Sequence, residues 1–179
     1  FKGDIENSEE ILTKYSHDAS LLEVRPELVV FPKNIEDLKN LVKWVSDNKI
    51  KYPKLALTPR SAGTCMSGGA IGESIIIDFT RHMNKVYSVE QVAPFQIIPK
   101  YPNAHEVIIT GTATVEPGCY YRDFEIATKE KGLLLPCYTA SKSINAIGGM
   151  VGNNSAGEKT LNYGKTEDYI KELQVIFSD

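Results

Sequence analysis

The segment Pro59–Ala70, PRSAGTCMSGGA, constrains this chain more than any other. It carries Gly63, Gly68 and Gly69, with Ser61, Ala62, Thr64, Cys65 and Ser67 between them. Apolar runs flank it, LALT at 55–58 and SIIID at 74–78. Residues this small permit positive φ and let the backbone approach another molecule closely. Successive N–H groups in such a loop form a concavity for an anion, and the hydroxyls add donors. A phosphate or diphosphate is the natural guest. The glycines match neither GxGxxG nor a P-loop, because no GKS or GKT is present and the next element reads as a strand, not a long helix. The competing reading of these residues alone is a plain solvated Gly/Ser loop.

The flanking pattern predicts an α+β chain of two α/β lobes. LVVFP at 28–32 reads as a buried strand, and Asn34 as the N-cap of a helix over 35–48. Ile35, Leu38, Leu41, Val42 and Val45 give that helix one apolar face. With strands at 55–58 and 74–78, the order predicts a small parallel lobe over about 25–80, behind an N-terminal helical segment, 1–24. Further strands are expected at 84–90 and 106–116, a turn at Pro117-Gly118 and a helix at 120–131 closed by Gly132. Residues 91–104, with three prolines, read as a loop or insertion, and 169–177 as a final strand. These make a larger, mainly antiparallel lobe over about 84–179. The last strand has no closing element after it, so the chain is expected to be cut there.

Composition excludes some functions. The formal net charge is -3, so no basic field exists to hold a nucleic acid backbone. No apolar run approaches the length of a bilayer span, and the polar, acidic start does not read as a signal peptide. Cys65, Cys119 and Cys137 lack metal spacing, so no metal site is expected. A cytoplasmic location fits reduced thiols, with a membrane-peripheral placement of the whole protein left open.

A second glycine-rich segment, IGGMVGNNSAGEKTLNYGKTEDY at 147–169, mixes Gly148, Gly149, Gly152 and Gly157 with apolar Ile147, Met150 and Val151. That mixture predicts backbone packed closely against something flat or apolar, not a solvated linker. Its Asn and Ser side chains can hydrogen-bond a polar ligand edge. Together, four motifs in one order resemble the FAD-binding domain of the vanillyl-alcohol oxidase and p-cresol methylhydroxylase family. They are RPELVVFPKNIEDLKNLVKW, PRSAGTCMSGGA, TATVEPGCYYRDFE and the run from GLLLPCYTASKS through NNSAGEKTLNYG. Within the family they are most similar to D-lactate dehydrogenases and glycolate oxidase flavoprotein subunits. Ser61-Ala62 replaces two of its glycines, and Cys65 stands where Ser or Gly is usual.

The resemblance implies FAD lying extended between two subdomains and held without a covalent bond. It implies that Pro59, Arg60, Ser61, Ala62, Gly63, Thr64, Cys65, Gly68 and Gly69 hold the diphosphate. It also implies that Pro136, Ser141, Gly148, Gly149, Asn154 and Ala156 line the flavin and its chain. A substrate lobe that would bind a small 2-hydroxy acid such as D-lactate or glycolate is absent here. No catalytic residue is therefore expected in this fragment, and the electron acceptor stays unknown. Two other readings stand beside this one: a non-catalytic phosphate- or partner-binding module, and the flavin domain of a cell-wall precursor reductase. Bound yellow colour separates the flavin readings from the binding module.

Overall fold

The computed structural model describes residues 1–100 and 104–178. They form two compact units, residues 1–83 with the segment from Gln174 onward, and Asn84–Leu173. Tyr101, Pro102 and Asn103, part of the expected 91–104 loop, lie outside the described residues.

The first unit is built on a four-stranded sheet. Its strands are β1 (Asp4–Glu6), β2 (Leu28–Phe31), β3 (Leu57–Arg60) and β4 (Ile75–Asp78), in the order β1-β2-β4-β3. β2, β4 and β3 run parallel, as the strand–helix–strand order predicts, whereas β1 is antiparallel to β2. The N-terminal segment thus supplies a strand as well as helix α1 (Glu9–Tyr15). Strand alternation sorts the side chains into two cores. Val29, Phe31 and Ile76 pack with Tyr15 of α1 on one face. Val30, Ile75 and Ile77 pack with Leu41 of α2 (Ile35–Asn48) on the other. With both faces covered, β2 and β4 read as continuous apolar runs, as parallel strands do.

Asp37 ties the helix to the first strand. Asn34 caps α2 by accepting from Asp37 N–H at 3.0 Å. The Asp37 carboxylate accepts in turn from the backbone N–H of Lys33 at 3.0 Å and of Lys2 at 2.6 Å. Burial works against its ionisation, but those two N–H groups and the nearby positive charges outweigh it and hold the pKa low.

The second unit centres on an antiparallel pair, β5 (Val86–Ile97) and β6 (Val107–Val115). Helix α3 (Tyr121–Lys129) and the short helix α4 (Ile147–Gly152) share a core of Cys119, Tyr121, Phe124 and Met150. A short helix α5 (Thr160–Tyr163) and a 3-10 turn (Thr166–Tyr169) complete it. Two expectations fail here, and one segment takes a form the sequence left open. Residues 91–97 continue β5 instead of forming a loop, because a bulge between Gln91 and Phe95 absorbs Pro94, which has no N–H to give. The start of the second glycine-rich segment is helical, since burial of Met150 overrides the weak helix propensity of its glycines. The expected last strand is a 3-10 turn followed by irregular chain, with Leu173, Val175 and Phe177 exposed. An alternating run becomes a strand only beside a hydrogen-bonding neighbour, and no described segment pairs with it.

Ionic contacts close the open end of β1. Asp4 meets His82 Nε2 at 2.7 Å, Lys33 Nζ at 3.2 Å and Arg81 at 3.5 Å. The hydrogen bond to His82, followed by that to Lys33, pulls the Asp4 pKa from 3.8 down to about 2. A depressed carboxyl contributes stability that is whole above its ordinary value and lost as pH falls through the folded one. We therefore expect β1 to loosen as pH drops from 3.8 to about 2. Amide exchange of residues 4–6 across that range measures this, and Asp4→Asn should abolish the pH dependence while leaving β1 loose throughout.

Candidate functional site

The parallel strands end on one side of the first unit, where open α/β sheets place their ligands. Pro59 and Arg60 are the last residues of β3, and Arg60 lies opposite Asp78 of β4. Asp78 is buried and accepts from Tyr15 Oη at 2.9 Å and from Thr80 N–H at 2.6 Å. Burial, then the Asp78 charge, pushes the Tyr15 phenol well above its usual range, so it remains a donor. Over the Tyr15 ring lies the Arg60 guanidinium, 5.0 Å from the centroid. That guanidinium donates to the carbonyls of His17 at 2.8 Å and Ala70 at 3.2 Å. Arg60 therefore braces both ends of the loop.

Inside the loop Gly63 has φ 67° and Gly68 has φ 78°. A Cβ on Gly63 would stand 2.3 Å from the Arg60 guanidinium. Gly69 differs, with no positive φ and only the Cys65 sulfur nearby, 3.2 Å from where a Cβ would stand. Among the described residues, the N–H groups of Ala62, Gly63 and Thr64 donate to no protein acceptor. Three consecutive half-buried donors next to a positive-φ glycine have the chemistry that an anion cradle needs. Cys65 lies beside them, with Sγ 3.3 Å from Ser67 Oγ. That hydroxyl, with the backbone N–H groups of Ser67 and Gly69, lowers the thiol pKa.

Sequence reasoning missed a neighbour of this loop, residues 15–23. Asp18 accepts from Ser20 N–H at 2.8 Å, and Ser20 Oγ accepts from Leu22 N–H at 3.1 Å. The turn places Leu22 against Gly68, where an added Cβ would meet Leu22 Cδ1 at 2.7 Å. Burial opposes ionisation of Asp18, but its bonds to Ser20 and the charge of Arg60 prevail and keep its pKa low. The Asp-x-Ser turn signal was present in the sequence. Nothing in it pointed across forty positions to the loop.

The remaining predicted residues lie in the second unit. Pro136 and Ser141 belong to the loop ahead of α4, where Ser141 Oγ meets Thr139 Oγ1 at 3.0 Å. Gly148 packs its backbone on the Pro117 turn, donating to the Pro117 carbonyl at 2.8 Å. Gly149 is exposed on α4, and its carbonyl accepts from Asn153. Gly157 lies so close to the Tyr138 carbonyl that a Cβ would sit 1.9 Å from it, joining the two ends of the segment. The exposed Ala156 precedes it. Asn154, at φ 44°, exchanges two hydrogen bonds of 3.0 Å with Glu167, so its side chain is already engaged. A different residue offers an open group. Asn145 is buried and donates to Thr139 Oγ1 at 2.7 Å, while its Oδ1 has no partner. A buried acceptor left open costs free energy unless a ligand or water donates to it. Among the described residues no His, Cys, Asp and Glu cluster suits a metal.

The FAD binding domain family matches residues 26–179, and the chain belongs to that family. Its cofactor is FAD. A glycolate oxidase subunit, GlcD, of Bacillus subtilis (strain 168) is 28% identical over 92% of this chain and 31% of its own length. A D-2-hydroxyglutarate dehydrogenase of Escherichia coli (strain K12) is 27% identical over 98% of this chain and 15% of its own. The chain thus spans less than a third of these relatives. An alkyldihydroxyacetonephosphate synthase structure aligns with TM-score 0.69 and 22% identity over 92% of this chain and 30% of its own. A p-cresol methylhydroxylase structure with substrate bound gives TM-score 0.60 and 17% identity over 84% of this chain and 26% of its own. The fold is the one the four motifs resemble.

The donors fit such a cofactor. Unclaimed N–H groups suit a diphosphate, and the open Asn145 oxygen suits an N–H or hydroxyl of the flavin or its chain. Two tests follow from the loop. Gly63→Val should weaken FAD binding at least about tenfold, since a β-branched residue at positive φ strains the turn by about 1–2 kcal/mol before its clash with Arg60 is counted. Gly69→Val should cost less, and fluorescence titration of the two variants compares them. The thiols should also separate. Burial pushes Cys119 and Cys137 up to about 11, whereas Cys65 is lowered and half-exposed. Iodoacetamide at neutral pH should label Cys65 at least about tenfold faster than the other two. Peptide mass spectrometry reads this, and FAD should slow it.

Proposed function

We propose that this chain is the cofactor-holding part of an FAD-dependent oxidoreductase that oxidises a small 2-hydroxy acid. The observation that carries the flavin part is the row of unclaimed N–H groups, Ala62 to Thr64, at the carboxyl ends of a parallel sheet. The names of the two relatives support the substrate class, since glycolate and D-2-hydroxyglutarate are both 2-hydroxy acids. When bound, FAD supplies the acceptor for the hydride that leaves the hydroxyl-bearing carbon, and the electrons pass on to a separate acceptor.

This chain's residues bind and orient. Ala62, Gly63 and Thr64 donate to the diphosphate, and Arg60 ties the loop through the His17 and Ala70 carbonyls. Ser141, Asn145 and the α4 segment line the flavin side. On this reading the cofactor is held non-covalently. Groups that bind the acid and move its hydroxyl proton belong to the rest of the protein.

With only these contacts the chain should hold FAD at about 1 µM or more weakly, because each missing hydrogen bond removes about 1 kcal/mol and each 1.4 kcal/mol is about tenfold. Calorimetric titration of FAD into the chain measures it, and no oxidation of glycolate or D-lactate is expected from the chain alone. Absence of any FAD binding would overturn the assignment of the loop. Nanomolar binding would show that this chain supplies the whole cradle.

A further inference from the structure

The C-terminal end of α2 carries a feature that the cofactor site does not use. Residues 43–54 read KWVSDNKIKYPK, with four lysines against one aspartate in a chain whose formal net charge is -3. Lys43, Lys49, Lys51 and Lys54 are all exposed. Three large apolar side chains stand among them. Ile50 is 96% exposed, Trp44 51% and Tyr52 50%.

Their arrangement is fixed by backbone. Asn48 Nδ2 donates to the Trp44 carbonyl at 2.8 Å, and Tyr52 N–H continues the spacing by donating to the Asn48 carbonyl at 2.9 Å. Positions 44, 48 and 52 therefore share a face, four residues apart. Lys51 Nζ lies 5.1 Å over the Tyr52 ring. Lys49 is anchored by its bond to the Leu55 carbonyl. Ile50, Trp44 and Tyr52 are exposed within one short stretch together with Lys49, Lys51 and Lys54, while Lys43 pairs with Asp47 at 3.1 Å. Exposed Trp and Tyr with Ile and Lys match the boundary of a bilayer, where rings sit at headgroup depth and lysine stems reach up to anionic groups.

We propose that this end of α2 docks the protein on an anionic lipid surface. The charge is complementary to acidic headgroups, and the apolar tip is shaped to enter the acyl boundary. No helix of the described residues is long and apolar enough to cross a membrane, so the contact is peripheral. The inference is independent of the substrate class proposed above.

Trp44 is the single tryptophan of the chain, which makes the patch its own reporter. The full chain is mixed with vesicles of phosphatidylcholine and phosphatidylglycerol, and separately with phosphatidylcholine alone. Trp44 emission should shift to the blue and the protein should co-sediment with the mixed vesicles only, reversibly with salt. The double variant Ile50→Ser, Lys51→Glu should weaken this at least about tenfold, since one lysine near such a surface is worth about fivefold. Both positions are exposed, and circular dichroism verifies folding. Lys131→Glu, an exposed charge reversal in the other unit, should leave binding unchanged. An unmoved Trp44 emission overturns the proposal, as does equal weakening by Lys131→Glu. A blue shift that grows with protein concentration without vesicles also overturns it, and assigns the face to a second copy of the chain.

Discussion

Arg60 ends the edge strand β3 where the chain turns into a loop of almost no side-chain volume. A loop of that kind has little to hold it in one shape, because glycine loses the most conformational freedom on ordering. Its shape is set from outside. The guanidinium reaches the carbonyl before the Asp18 turn and the carbonyl at the loop's far end, and it rests on the Tyr15 ring. Tyr15 is in turn fixed by Asp78 at the end of the neighbouring strand. A buried carboxylate, a phenol and a guanidinium thus transmit the rigidity of the sheet to the backbone donors. Arg60 is expected among the diphosphate ligands, and its guanidinium holds the His17 and Ala70 carbonyls.

The second unit organises its glycines differently. Gly148 and Gly157 are small because carbonyl groups of Pro117 and Tyr138 occupy the space a side chain would need. That close packing leaves Asn145 buried with one donor satisfied and one acceptor open. Here the polar group left open is a buried side-chain amide, whereas in the first unit it is the backbone itself.

Much of this was legible in the sequence. Helix α2 could be read from its 3.6-residue period and from Asn34, since both signals are local. β2 and β4 could be read as apolar runs, and the positive-φ turn at Gly63 and Gly68 from the small residues of its loop. What was not legible depends on partners distant in sequence. The contact of residues 15–23 with the loop rests on single hydrogen bonds that leave no periodic trace. The pairing of Asn154 with Glu167, thirteen positions on, likewise leaves no local signal. Asn145 was overlooked because nothing local marks a buried amide as half satisfied. The 169–177 run has strand chemistry without a neighbour, and helix α4 forms despite its glycines because Met150 is buried.

The irregularities of β5 count residues, and the count has a consequence. Between Gln91 and Phe95 the strand advances four residues while β6 advances two, from Gly111 to Ile109. An excess of two is even, so side chains beyond Pro94 keep the faces they would have had without it. Between Val86 and Ser88 the strand advances two residues against one, from Val115 to Thr114, and there the faces exchange. The two bulges therefore differ in kind, one a phase shift and the other a silent spacer. Chain length at Pro94 can change in pairs without disturbing which residues face the core, while a single residue gained or lost there would turn Phe95–Ile97 over.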